Sequence, residues 1–184
     1  MDNGASSYRR FLDGDEEGFV EIIRDYKDGL ILYLDSFVRN LSVAEELAED
    51  TFVRLGVKRP RFSEKSSFRT WLYAIGHNVA VDYLRKQARF STVSMDECAE
   101  LADLESLERA CIQDERKRTV HRAMNRLKPE YRQVLWLVYF EEFSSKEAAK
   151  IMRKSVHNIE TLTYRARKSL KSELIREGFQ DENL

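Results

Sequence analysis

The stretch SSKEAAKIMRKSVHNIETLTYRARKSL, residues 144–170, decides the fold. Ser144-Ser145-Lys146-Glu147 reads as a capping box, in which a hydroxyl and a carboxylate three residues on satisfy free backbone N–H groups at a helix start. Ala148, Ala149, Ile151 and Met152 line the short helix that follows. After Arg153-Lys154-Ser155 a longer helix turns Ile159, Leu162, Ala166, Leu170 and Leu174 inward, at spacings of three and then four throughout. A short helix (Ser145–Met152), a tight turn and a long helix (Val156–Leu174) make the shape of a helix-turn-helix. In such a unit the second helix enters the DNA major groove. Glu160, Tyr164, Arg167 and Lys171 lie opposite the apolar stripe, flanked by His157, Asn158, Thr161, Arg165 and Lys168. Glu160 is suited to accept from a cytosine amino group and Arg165 to pair with guanine. Arg167, Lys168 and Lys171 suit phosphates. An ordinary amphipathic hairpin with a basic outer face has the same pattern.

Upstream, Ile112, Val120, Met124 and Leu127 mark a helix, and Pro129 can open the next at a first-turn position that needs no donor. Tyr131, Val134, Leu135 and Val138 form that helix's inner face. Earlier in the chain, Phe19, Ile22, Ile23, Tyr26, Leu30, Tyr33, Leu34, Phe37, Val38 and Leu41 give one continuous stripe, with Asp15 or a neighbour as its cap. Ser42-Val43-Ala44-Glu45 reads as a second capping box, opening a helix with Ala44, Leu47, Ala48, Thr51, Phe52 and Leu55 on one face. Residues 56–67, with Gly56, Pro60 and serines, read as a loop. A third helix begins after Ser67, buries Phe68, Trp71, Leu72, Ile75, Val79 and Tyr83, and runs to about Gln87. No strand pattern competes. The fold class is all-α: two small helical domains, residues 1–92 and 115–184, joined by an acidic linker at 93–114.

Composition agrees. Only 7 glycines and 2 prolines in 184 residues leave few helix breaks. The net charge of −1 hides a division along the chain. Residues 1–92 hold 14 Lys and Arg against 15 Asp and Glu, residues 93–114 hold Arg109 against seven acids, and residues 115–184 hold 16 against 10. From charge alone the acidic stretch reads equally as a solubilising tether or as a mimic of an acidic polymer such as RNA. No apolar run approaches the 18 residues of a membrane span, and the start lacks a basic segment followed by an apolar stretch. Cytoplasmic residence is expected. Cys98 and Cys111 are too few for a disulfide framework, and His77, His121 and His157 do not cluster, so neither a metal nor another cofactor is expected. No glycine-rich phosphate loop, paired His/carboxylate spacing or nucleophile motif supports an enzyme.

Three segments resemble one family. FRTWLYAIGHN (Phe68–Asn78), followed by Ala80, Asp82, Tyr83, Leu84 and Arg85, resembles the promoter-melting segment of extracytoplasmic-function (ECF, group IV) sigma factors, the small sigma-70 family subunits of bacterial RNA polymerase. AEELAEDTFVRL (Ala44–Leu55) is similar to that family's core-binding helix. LKPEYRQVLWLVYFEEFSSKEAAKIM (Leu127–Met152) and YRARKSL (Tyr164–Leu170) are similar to its C-terminal helix-turn-helix domain. The order is right and no third domain intervenes.

The resemblance implies a protein that binds core RNA polymerase and promoter DNA. Residues 1–92 would be region 2 and residues 115–184 region 4, the latter working beside the polymerase's beta flap. Glu45, Glu46, Glu49, Asp50 and Arg54 would meet the beta-prime clamp. Arg54, Lys58, Phe62, Ser63 and Asn78 would line a pocket for a base flipped from the minus-ten element, where the backbone needs positive charge and the base a stacking surface. Tyr73 is expected to face the strand, with Arg69 and Arg85 near the backbone, while Trp71 fits the core at least as well as a stacking role. Glu160, Thr161, Tyr164 and Arg165 occupy positions that read the minus-35 element. Here the chain departs from the family's common Gly-Thr-Val-Lys-Ser-Arg run, with Glu160 and Leu162 at two basic positions, so affinity would lean on Arg165, Arg167, Lys168 and Lys171. The family also implies an anti-sigma factor partner. A compact form with the domains folded together would hide both DNA surfaces.

Two other readings account for less. A stand-alone helix-turn-helix regulator explains the C-terminal half and leaves Phe68–Arg85 unassigned. A protein-binding sigma-like adaptor draws some support from Glu160 and the near-neutral charge.

Overall fold

The computed structural model describes residues 3–91 and 115–179. The linker reading at 93–114, with Cys98 and Cys111, lies outside them, as does Ile112. Among the described residues every regular element is a helix, and none is long and apolar enough to cross a membrane.

The N-terminal half is built from α1 (Asn3–Leu12), α2 (Glu17–Val38), α3 (Leu41–Lys58) and α4 (Phe68–Ser91). Helix α2 buries Ile22, Leu30, Tyr33, Leu34 and Phe37, as its spacing requires, and ends where Arg39 turns left-handed at φ 51°. Its start carries no side-chain cap at Glu16, although Asp15 accepts from the backbone of Glu17. Helix α3 begins one residue before Ser42. Asn40, in extended conformation, accepts from the Val43 amide at 3.2 Å, so Asn40 is the cap and the expected Ser42 box is not formed. The same helix runs through Gly56 to Lys58. A side chain at Gly56 would press on the ring of Phe19 at 3.1 Å, so this glycine marks close packing and the loop shrinks to residues 59–67. Ser67 accepts from the Thr70 amide and so caps α4. That helix continues four residues past Gln87.

Helix α1 was not read from the sequence. It buries Tyr8 and Phe11 against α2 and α4, and Gly4 lies so close to Phe68 and the Tyr26 hydroxyl that a Cβ would stand 2.5 Å from each.

The C-terminal half contains α5 (Glu115–Arg126), α6 (Pro129–Leu135), α7 (Ser145–Met152) and α8 (Val156–Arg176). Helix α6 widens at its end into a π-helical turn, Trp136–Phe140. The extra residue rotates the register, so Leu137 is fully buried with Val134 and Leu135, while Val138 and Tyr131 are half-buried. Helix α7 has the capping box as read: Ser144 and Glu147 exchange side-chain and backbone bonds. Arg153 then turns left-handed at φ 53°, and Ser155 caps α8 by accepting from Asn158.

The halves pack on one another, α7 against α4 and α6 against α2. Arg132, only 5% exposed, reaches from α6 to the Ser36 carbonyl at 2.8 Å, at the open end of α2. It also donates to the Asn125 and Leu127 carbonyls. Burial, and Arg39 nearby, lower its pKa to about 10, which still leaves it charged. A guanidinium suits this place because one planar fork serves several acceptors.

Candidate nucleic-acid and polymerase interfaces

Helix α4 has two distinct sides. Trp71, Asn78 and Arg85 are spaced by seven residues and so form one row along the helix, roughly 10 Å per step. Arg69, Tyr73 and His77 are spaced by four and form another row, about 200° from the first when Tyr73 is compared with Trp71.

The first side meets the loop 59–67. Phe62 packs on Trp71 with centroids 5.0 Å apart and edge-on against Phe68 at 5.7 Å. Trp71 is held in turn by Tyr8 at 5.3 Å, so it is half-buried in an aromatic cluster that belongs to the core. Arg54 and Asn78 are half-buried, and Lys58, Ser63 and Arg85 are exposed. The side chains of Lys58, Arg59 and Arg61 make this surface basic and open.

The second side is covered. Tyr73 is 1% exposed and its hydroxyl donates to Glu141 Oε2 at 2.7 Å, so the expectation that it faces a DNA strand is not met in this closed arrangement. Arg69 donates to the Glu141 carbonyl at 2.7 Å and forms an ion pair with its carboxylate, while its guanidinium lies 4.4 Å from the centroid of Phe143. Burial raises the Tyr73 phenol well above its usual pKa, with the Glu141 charge adding to the effect, so it remains a donor. Gly29 makes room: a Cβ there would stand 2.6 Å from the Tyr73 hydroxyl. Thr70 donates to Glu147, and Lys150 to the Lys65 carbonyl, extending the seam. His77 sits deeper, 3.0 Å from the Tyr33 hydroxyl, and its pKa falls to about 4 through burial and then the charges of Arg153 and Lys154.

On α3 the side opposite the core presents Glu45, Glu46, Glu49 and Asp50, all exposed. The sequence reading missed Val53 and Val57 on the same helix, 58% and 78% exposed. Two solvated valines beside four carboxylates suit a protein partner with both apolar and cationic groups. The signal was available, since neither position belongs to the buried stripe.

On α8, Glu160, Tyr164, Arg165, Arg167, Lys168 and Lys171 are exposed and Thr161 is half-buried. The closed form therefore does not hide this face, contrary to expectation, because α7 is the element that packs on α4. Tyr164, Arg167, Lys168 and Lys171 also edge a groove of about 680 Å³. Val120, Met124 and Leu135 contribute to its apolar lining, and Tyr139 and Phe140 stand half-exposed at its border. Phe140 is stacked on Trp136 at 4.4 Å, an arrangement set by the π-helical turn and invisible to simple periodicity. Among the described residues no group of three His, Cys, Asp or Glu could hold a metal ion.

Two family models match the chain: sigma-70 region 2 over residues 22–90 and sigma-70 region 4 over residues 117–170. The chain is 31% identical over 162 residues to the ECF RNA polymerase sigma factor SigM of Bacillus subtilis, covering 88% of this chain and 98% of that protein. It is 30% identical over 167 residues to the RNA polymerase sigma-H factor of Pseudomonas aeruginosa, covering 85% and 86%. In fold it is similar to the sigma factor RpoE solved with the anti-sigma factor NepR from Bartonella quintana, with a TM-score of 0.67 at 22% identity, covering 85% of this chain and 96% of that one. It is also similar to CnrH solved with the cytosolic domain of CnrY, with a TM-score of 0.64 at 23% identity, covering 95% and 96%.

Proposed function

The chain belongs to the ECF sigma factors of the sigma-70 family, alternative subunits that bind core RNA polymerase and direct promoter-specific initiation, and from that premise we infer how its parts divide the work. Residues 1–92 bind the polymerase and hold the melted minus-ten strand, residues 93–114 are the acidic connector, and residues 115–184 read the minus-35 element as duplex. Bond-making belongs to the polymerase, and the work is done in the cytoplasm.

The observation that carries this reading is the two-sidedness of α4. Its Trp71–Asn78–Arg85 row adjoins a basic, aromatic loop with Phe62 half-buried, the combination a single strand needs: charge for phosphates and a surface for a base. Asn78 offers both a donor and an acceptor to a base edge. The α3 surface of Glu45, Glu46, Glu49, Asp50 and Arg54, widened by Val53 and Val57, meets the beta-prime clamp. The outward face of α8 meets duplex, and the neighbouring groove receives an apolar segment of the beta flap.

The closed arrangement is a resting state. Arg69 and Tyr73, proposed for the strand, are engaged by Glu141 instead. Full use of the minus-ten surface then requires the halves to separate. RpoE was solved with the anti-sigma factor NepR, and a partner of that kind, stabilising the closed form, is proposed for this chain too.

Run-off transcription from promoter fragments, with core polymerase with and without the chain, tests the reading. New start sites that depend on the chain and vanish on Asn78→Ala are expected. A duplex footprint without core binding or transcript would reduce the protein to a helix-turn-helix regulator.

A further inference from the structure

We propose that α1 is a brace that sets the minus-ten loop, and that the Tyr8 hydroxyl is its positioning group. The proposal rests on the reading of residues 59–67 as the loop that receives the flipped base. Helix α1 lies outside the matched region 2, which begins at residue 22, so the family match gives it no role.

The loop has no regular structure of its own, and its backbone takes left-handed conformations at Arg59 (φ 42°) and Glu64 (φ 56°). Something outside it must hold its shape. Three residues of α1 do so at three points. The Tyr8 hydroxyl donates to the Pro60 carbonyl at 2.7 Å, the Arg59 guanidinium stands 4.6 Å from the centroid of Phe11, and Arg9 pairs with Glu64 at 2.7 Å. These are unequal. The Arg9–Glu64 pair is more than half exposed on both sides, and such pairs contribute little. Tyr8 is 1% exposed, and its bond fixes a carbonyl inside the loop. The same ring touches the floor of the site, 5.3 Å from Trp71, which carries Phe62 at 5.0 Å. Tyr8 thus ties the loop backbone and the stacking surface to one rigid helix. A change there acts on the pocket without entering it.

The test uses holoenzyme made from core polymerase and the full chain, transcribing a promoter library randomised over the minus-ten element. Tyr8→Phe keeps the ring and removes only the hydroxyl. The expected result is a drop of about fivefold in preference at one minus-ten base, the change one neutral hydrogen bond supports, with affinity for core unchanged. Asn78→Ala, run in parallel, reports on the site itself. If Asn78→Ala flattens the preference and Tyr8→Phe leaves it intact, the brace is wrong while the site stands. If neither changes it, the minus-ten loop reading fails and the brace with it. Equal losses of core affinity and base preference in Tyr8→Phe would make Tyr8 a plain folding residue and overturn the proposal.

Discussion

Tyr73 and Glu141 share a hydrogen bond of 2.7 Å across the seam between the two halves, and Arg69 closes on the same carboxylate. The Glu141 side chain is 11% exposed and that of Arg69 37%. Glu141 therefore stands where a DNA phosphate would stand if Arg69 and Tyr73 served the promoter strand.

Removing that carboxylate weakens the closed form. Glu141→Gln keeps the shape and loses the charge, and for a half-exposed partner roughly 1–2 kcal/mol is expected, shifting the opening equilibrium by about tenfold. Small-angle scattering of the free variant is expected to show a larger radius, and its transcription in the absence of any inhibitor to rise. A variant with unchanged scattering and unchanged transcription would remove Glu141 from any gating role.

Arg132 is expected to matter more for stability than any exposed arginine. Arg132→Ala leaves the buried carbonyls of Ser36 and Leu127 without this donor, while that of Asn125 keeps Arg39, and a loss of roughly 3 kcal/mol is expected. Arg132→Lys recovers only part of it, because one ammonium cannot span that fork. Chemical denaturation of the two variants decides; equal midpoints for wild type and Arg132→Ala would refute it.

His77 gives the fold a sensitivity to acid. Its pKa falls from 6.5 to about 4 in the folded chain, through burial first and then Arg153 and Lys154. The unfolded chain thus binds the proton more readily. The contribution is complete above the unfolded value of 6.5 and is lost as pH falls toward the folded value of about 4. Over that window the loss is on the order of 3 kcal/mol. Unfolding free energies measured from pH 7 to 4 should show a shallower slope for His77→Gln than for wild type. Parallel slopes would mean that other groups carry the acid sensitivity.

The helix-turn-helix was legible because its signals are local: the Ser144–Glu147 box and the inward row ending at Leu174 need nothing outside the segment. Helix α1 was not, because Tyr8 and Phe11 are too few to make a periodic stripe and its stability comes from tertiary contacts with Phe68, Trp71 and Phe19. Asn40 and Ser42 are both cap residues by type, and only backbone geometry chooses between them. The burial of Tyr73 escaped the sequence for a different reason. An amphipathic helix was assigned one buried side, and α4 has a second, covered by residues 68 to 77 positions further along the chain. Long-range burial of that kind leaves no periodic trace.

Glu160 is the last residue whose role the geometry makes testable. It is exposed on α8, in a row with Tyr164, Arg167 and Lys171. A carboxylate there repels phosphates, so it lowers affinity on every sequence unless it accepts from a base. Glu160→Ala is expected to relax one position of the minus-35 element by about 1–3 kcal/mol, the value of one good side-chain pairing with a base edge. Lys168→Ala, a phosphate contact, should instead weaken binding evenly across sequences and reduce the salt slope by about one. Selection from randomised duplexes at two salt concentrations separates the two effects. A uniform gain in affinity for Glu160→Ala, with no change in preference, would show that the carboxylate faces only the backbone and that specificity rests on Arg165 and its neighbours.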